Sequence, residues 1–288
     1  MKKPFPYRLA AIDIDGTLLG PVSHLGAENI AAVAKLKKHG TRVVLASGRC
    51  HNNIIGFHKE LNLEGPIISS QGAQVKIVES GRIIREHHMP AGLAAEVVAE
   101  GSRLGMTLVY YRSEGIYICG RNSNTDLYHS RGLDDLIIHG PLETLAGDTP
   151  LKIIWMGSPE QIIAISPEIE LRYRGWAETV VTFPEYLEFL ALGVSKAVAL
   201  EAVASYYGID RSEIMAFGDG NNDISMLQWA GLGVAMSEST QGARDAADMV
   251  APVGESGSSL ARAVDEIFGN FDAPDLKTLA VNQAVSLR

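Results

Sequence analysis

Cysteine is almost absent. Cys50 and Cys119 are the only two in 288 residues, and they form no Cys-x-x-Cys pattern. That disfavours a disulfide scaffold and a structural zinc site, and it predicts a reducing compartment. Long apolar runs are missing too: with no stretch of about 18 apolar residues, no membrane-spanning helix is expected. The stretch Leu9 to Ile12 stops at Asp13, too short for a signal-peptide core. The protein is therefore read as cytoplasmic, with no membrane partner. Positive charge is in deficit, with 25 Lys and Arg against 34 Asp and Glu, a net charge of -9. No nucleic acid partner is expected, because binding a phosphate backbone needs a clustered cationic surface. A small anionic substrate remains compatible, since a pocket can be locally positive on an acidic protein. Three motifs are also missing. Without G-x-x-x-x-G-K-[ST] there is no P-loop, and without G-x-S-x-G an α/β-hydrolase elbow is disfavoured. Gly218-Asp219-Gly220-Asn221-Asn222-Asp223 lacks the last glycine of a dinucleotide fingerprint.

What is present is a rhythm. An apolar run at 8–12 ends abruptly in Asp13-Ile14-Asp15-Gly16-Thr17, the pattern of a buried parallel strand entering a polar loop. A helix at 25–38, a strand at 42–46, a helix at 51–61 and a strand at 66–69 follow, predicting a parallel sheet with helices on both faces. The pattern then changes to hairpins at 75–85 and 107–119, a helix at 90–104 and strands at 151–156, 177–183 and 186–191. A helix starts at Ser158-Pro159, and Pro167 is expected to kink or end it. Residues 85–188 read as an α+β domain inserted into the first, leaving 1–84 and 189–288 as the core. The βα alternation resumes after Gly193, with a strand at 214–217 and further elements to 268. At 288 residues the chain is long enough for two such cores without disulfides or metal. The fold class is α/β: a doubly wound, Rossmann-like parallel sheet with an inserted α+β domain.

In such sheets ligands bind beyond the carboxyl ends of the strands. Asp13 and Asp15 follow the first strand, Ser47 the second, and Asp219, Asn222 and Asp223 the strand at 214–217, while Lys196 opens a nearby helix. Each segment alone is equally a turn, since Asp, Asn and Gly are ordinary turn residues. Together they place four carboxylates, a hydroxyl and a lysine on one edge. Carboxylates crowded in one cleft repel unless a cation is present. Oxygen-only ligands suit Mg2+, which commonly shares its shell with a phosphate. The cluster reads as a site for Mg2+ and a phosphoryl group.

At these residues the sequence resembles the haloacid dehalogenase superfamily, and within it the Cof-like phosphatases with a large inserted α/β cap. Asp13-Ile14-Asp15-Gly16-Thr17-Leu18, Ala46-Ser47-Gly48-Arg49, Lys196 in Gly193-Val194-Ser195-Lys196, and Gly218 to Leu227 match its four motifs in order. The resemblance implies that Asp13 is the nucleophile, forming an aspartyl-phosphate, and that Asp15 is the general acid and then base. It implies Mg2+ on Asp13, the backbone carbonyl of Asp15 and Asp219, with Asp223 binding directly or through water. It further implies that Ser47, Lys196 and Asn222 hold phosphoryl oxygens, with backbone N–H groups around Ile14, Gly16 and Gly48. A carboxylate at Asp15 favours an alkoxide leaving group over halide, so the expected activity is a phosphatase acting on a small phosphorylated metabolite, by default a sugar phosphate, with phosphorylated cofactors such as flavin or pyridoxal phosphates also open. A phosphomutase and a non-catalytic phosphometabolite-binding module are the alternatives. The oligomeric state has no readable signal.

Three departures from the family pattern bear on substrate fit: Gln71 where Asn is frequent, Ala191-Leu192 before the third motif, and Cys50 where proline is frequent. Arg49 reads as an ion-pair former at the strand end, Thr17 as a loop-tightening residue. Tyr110, Tyr111, Arg112, Tyr117 and Arg121 are the polar groups the inserted domain could offer to a substrate.

Overall fold

The computed structural model describes residues 5–20, 25–131 and 136–271. The chain runs β1 (Leu9–Ile12), α1 (Ala27–Lys38), β2 (Arg42–Leu45), α2 (His51–Glu60), β3 (Pro66–Ser69), β4 (Gln74–Ile77), β5 (Ile83–Glu86) and α3 (Ala91–Arg103). It continues through β6 (Thr107–Arg112), β7 (Gly115–Ile118), α4 (Ser123–Ser130), β8 (Leu136–Ile138), β9 (Lys152–Met156), α5 (Pro159–Tyr173), β10 (Ala177–Phe183) and β11 (Tyr186–Ala191). It ends with α6 (Lys196–Tyr207), β12 (Ile214–Gly218), α7 (Ile224–Trp229), β13 (Leu232–Ala235), α8 (Gln241–Ala246), β14 (Met249–Val250) and α9 (Ser259–Gly269). The patternless tail falls from residue 272 onward outside the described residues. Two units emerge: one comprises Met1–Leu45, Phe57–Leu63 and Ala204–Arg288, the other Ala46–Gly56 and Glu64–Val203.

The first unit holds a five-stranded sheet in the order β14-β13-β12-β1-β2, parallel throughout. Its central strands, Leu-Ala-Ala-Ile and Ile-Met-Ala-Phe-Gly, are buried at every residue, as continuous apolar runs covered on both faces should be. On α9, Leu260, Ala263, Val264 and Ile267 are buried, the i, i+3, i+4, i+7 stripe of a helix facing a core. The buried Asn29 of α1 donates to the carbonyls of Leu18 and Gly257, both at 2.9 Å, and so pins the loop that follows β1. Chain order runs outward from β1 to β2 on one side and from β12 through β13 to β14 on the other. The switch point therefore lies between β1 and β12, where Ile12 pairs with Phe217.

The second unit holds a six-stranded sheet, β10-β11-β9-β6-β7-β8, and a three-stranded one, β3-β4-β5. The first of these is antiparallel except for the β7–β8 pair. Its core gathers Trp155, Phe189, Tyr173, Val97, Ile153 and Leu187 with their neighbours.

One local expectation is corrected, and of the two outcomes expected at Pro167, a kink or an end to the helix, the second is excluded. The strand at 66–69 is expected in the parallel sheet, yet β3 pairs antiparallel with β4 and also makes the parallel bridge Ala46–Ile68. The turn after β3 is short enough to fold the chain straight back, so antiparallel pairing wins locally. Pro167 does not end α5, which runs on to Tyr173. Pro167 is exposed, so water can take the place of the N–H that proline lacks. The expected Ser158 cap and its reciprocal partner Gln161 are both formed. Helix α4 and strand β8 were not anticipated. Asn122-Ser-Asn-Thr125 has loop composition, but Asn122 and Thr125 form a capping box that starts a helix.

Candidate active site

In the first unit, β1 delivers Asp13 to the switch point. Its backbone N–H donates to Phe217 O at 3.0 Å, continuing the parallel ladder by one residue. The chain then turns tightly: Leu18 N donates to Asp13 O, Leu19 N to Ile14 O and Gly16 N to Leu19 O. Gly16 has φ +91°, and a Cβ there would lie 2.3 Å from Asp219 Oδ2. Only glycine both adopts that backbone and lets the Asp219 carboxylate approach.

Strand β12 ends at Gly218, and the loop beyond it is organised by Asp223. Its Oδ2 accepts from the N–H groups of Asp219 and Gly220 at 2.9 and 3.0 Å. Thr17 Oγ1 donates to Asp219 Oδ1 at 2.8 Å, tying the two loops together. Asp13 and Asp223 are buried at 4% and 1% exposure. Asp13, Asp219 and Asp223 each offer a carboxylate oxygen, and these lie within 4.8 Å of one another. Three carboxylates this close, two of them buried and Asp219 half-buried, carry an electrostatic cost unless a cation offsets it. An all-oxygen donor set suits a hard divalent ion, so the residues fit the expected metal. The half-buried Asp15 is outside that trio. Ile14 is fully buried and Asn222 half-buried.

The other expected residues belong to the second unit. Ser47 N donates to Ile68 O at 3.0 Å, and Ser47 Oγ accepts from Arg49 N at 3.1 Å. Lys196, the first residue of α6, is 1% exposed, and the preceding Ser195 caps the helix by accepting from Val198 N at 3.3 Å. Arg49 is buried and donates from Nη2 to the carbonyl of Arg131 at 3.1 Å. Of the aromatic candidates, Tyr110 and Tyr111 are sealed at 1% exposure, and the Tyr111 hydroxyl bonds that of Tyr128. Burial drives the Tyr111 phenol well above its usual pKa. Arg112 pairs with Glu114 and Asp148. Tyr110 and Tyr111 are thus core residues of the second unit, while Tyr117 is half-buried and Arg121 exposed.

The sequence profile of haloacid dehalogenase-like hydrolases matches residues 10–264. The chain belongs to that family. Among curated relatives it is 28% identical over 232 residues to the HMP-PP phosphatase of Serratia proteamaculans, covering 80% of this chain and 84% of the relative. It is 25% identical over 272 residues to the 5-amino-6-(5-phospho-D-ribitylamino)uracil phosphatase of Bacillus subtilis, covering 91% and 98%. Among solved structures, a haloacid dehalogenase-like hydrolase from Bacteroides thetaiotaomicron superposes with a TM-score of 0.78 at 25% identity, covering 92% of this chain and 100% of that one. The resemblance drawn from the four motifs holds, as do the α/β class and the parallel core sheet.

In this haloacid dehalogenase-like hydrolase, sequence reasoning passed over Asn29, which secures the loop after β1, and the buried pair Lys152 and Glu188. Asn29 left no signal, because a polar residue in a helix reads as solvent-facing. The pair did: Leu-Lys-Ile-Ile-Trp-Met and Tyr-Leu-Glu-Phe-Leu-Ala are apolar strands, each interrupted by one charge of opposite sign.

Proposed function

We propose that the protein is a Mg2+-dependent phosphatase of small phosphorylated metabolites, sugar phosphate-like in their leaving group, working through an aspartyl-phosphate on Asp13. The observation that carries this reading is the cluster of the buried Asp13 and Asp223 with the half-buried Asp219 at the switch point of a chain belonging to this hydrolase family. The curated relatives named above are phosphatases of small metabolites, which supports the substrate class.

A carboxylate oxygen of Asp13 forms a bond to phosphorus while the bond to the leaving alkoxide breaks. The carboxyl of Asp15 gives that alkoxide its proton. A water then attacks the phosphoenzyme, Asp15 takes the water's proton, and the Asp13 carboxylate leaves, releasing orthophosphate. Splitting the displacement in this way replaces one difficult step with two easier ones. Ser47 and Lys196, with the backbone N–H groups around Ile14, Gly16 and Gly48 and the side chain of Asn222, hold the phosphoryl oxygens. Asp13, the backbone carbonyl of Asp15, Asp219 and Asp223 are the residues that would hold Mg2+, which when bound neutralises charge spread over the transferring group.

Residues 1–84 and 189–288 form the catalytic core in this proposal, and 85–188 form a cap that reads the leaving group. The six-stranded sheet and helices α3 to α5 all fall between residues 91 and 191, which supports an insertion of that extent.

The test is phosphate release from an aryl phosphate with and without Mg2+. Activity is expected to vanish in EDTA and in Asp13→Asn. Unchanged turnover in Asp13→Asn overturns the mechanism. With a sugar phosphate, an isomeric sugar phosphate instead of free orthophosphate would mark a phosphomutase.

A further inference from the structure

Two charges meet in the interior of the second unit. Glu188 pairs across the sheet with Ile154, and Lys152 with Leu190, so the two charged residues are diagonal neighbours on one face. Lys152 Nζ lies 2.7 Å from Glu188 Oε2, with the side chains 1% and 4% exposed. Taking two ions out of water costs several kcal/mol each, and apolar residues of similar size are often as stable. Stability alone is therefore a poor reason for this pair. Burial holds the Lys152 ammonium below its usual pKa, and the nearby Glu188 carboxylate opposes that shift.

Glu188 also organises its surroundings. Its Oε1 accepts from Thr182 Oγ1 at 2.7 Å, and its Oε2 accepts from Gln71 Nε2 at 3.2 Å. Gln71 is in an unusual state. Ser70 and Gln71 have φ of +50° and +60°, two successive non-glycine residues in the left-handed region, followed by Gly72 at +96°. Each such residue is strained and persists only where its surroundings impose it.

This strained turn touches two segments at once. Gln71 N donates to Ser47 O at 3.1 Å and Ser70 N to Arg49 O at 2.8 Å. The Gln71 side-chain amide fills the space beside Gly48, where a Cβ would lie 2.4 Å from Nε2. Gly72 packs so closely on the other segment that a Cβ would lie 2.3 Å from Ser195 O.

We infer that Lys152 and Glu188 form a positioning device: they hold the Gln71 amide, and the Ser70–Gln71–Gly72 turn thereby sets the two phosphate-binding segments, Ser47–Gly48 and Ser195–Lys196. The inference rests on the phosphatase reading of those two segments. Lys152, Glu188 and Gln71 act through Ser47 and Lys196 and are not assigned contacts with substrate. The device also gives a role to Gln71: its extra methylene relative to asparagine supplies the reach to Glu188.

The test is Gln71→Asn. Asparagine tolerates the left-handed backbone but is too short to reach Glu188. Calorimetric titration of inorganic phosphate into the Mg2+-loaded protein, KM for an aryl phosphate, the Mg2+ concentration for half-activity and the melting temperature are measured together. Phosphate Kd and KM are expected to rise about tenfold, because contacts made equally in the bound and transition states appear in KM. The Mg2+ requirement is expected to stay within about twofold, since Asp13, Asp219 and Asp223 have no part in the device. Glu188→Gln, which keeps the shape and removes the charge, should shift phosphate affinity in the same direction.

Phosphate affinity unchanged in Gln71→Asn overturns the inference. So does a parallel loss of phosphate affinity, Mg2+ affinity and melting temperature, which would mark general destabilisation. A wild-type protein that binds phosphate but does not hydrolyse the ester would instead overturn the function reading, with the phosphate titration still testing the device.

Discussion

At the scale of single residues, the site depends on what supports the carboxylates as much as on the carboxylates themselves. Thr17 was read from sequence as a loop-tightening residue, and its hydroxyl donates to Asp219 Oδ1. Groups that hydrogen-bond metal ligands typically change metal affinity 10–100-fold when removed. Thr17→Val is therefore expected to raise the Mg2+ concentration for half-activity about tenfold or more, while KM at saturating Mg2+ moves little. Activity titrations at fixed substrate check this, and an unchanged Mg2+ requirement would remove Thr17 from the metal's surroundings. Asp13, Asp219 and Asp223 were legible because each follows an apolar strand, and strand ends in a parallel sheet are where ligands bind. Asn29 and Gln71 were not legible in the same way. Their partners, Leu18 and Gly257 for one and Ser47 and Glu188 for the other, lie far along the chain for at least one bond each.

At the scale of elements, local chemistry set most boundaries. The Ser158–Gln161 capping box opens α5 where the sequence predicts it. Pro167 failed as a stop signal because a proline on a solvent face costs one hydrogen bond, which the buried stripe of Ile162, Ser166, Ile169 and Tyr173 outweighs. Helices α3 and α5 are joined at the surface by Glu100, which bonds Arg103 at 2.7 and 2.8 Å and Arg172 at 2.5 Å. The hydrogen bond from Arg103, followed by that from Arg172, draws the Glu100 carboxyl down to about 2. A carboxyl with a depressed folded pKa contributes stability above its ordinary value near 4.5 and loses it as pH falls towards 2. The groups sit at the surface, so the contribution is about 0.5 kcal/mol, in the range of exposed pairs. Acid denaturation of Glu100→Gln should accordingly be less steep than wild type between pH 4.5 and 2, with the two converging below. Parallel curves would show that the pair is energetically silent.

At the scale of the whole molecule, a net charge of -9 leaves the cation question to geometry. Buried carboxylates that repel in the free protein should make metal binding visible as stability. At about 100 times its Kd, a ligand that binds only the folded state adds about 2.7 kcal/mol. Mg2+ is therefore expected to raise the melting temperature by several degrees, and Asp219→Asn is expected to abolish most of that rise. A melting temperature indifferent to Mg2+ would argue against the metal site. The sequence by itself determined the α/β class, the parallel core strands, the helix caps and the candidate catalytic residues. These follow from hydrophobic periodicity and turn chemistry, each written within a few residues, and from the order of four short motifs along the chain. Only the tertiary structure decided that β3 turns back into an antiparallel sheet, that Tyr110 and Tyr111 are core residues, and that Lys152, Glu188 and Gln71 form one buried network. Those outcomes depend on which distant segments meet in a water-poor interior, where an unpartnered charge or amide is too costly to leave.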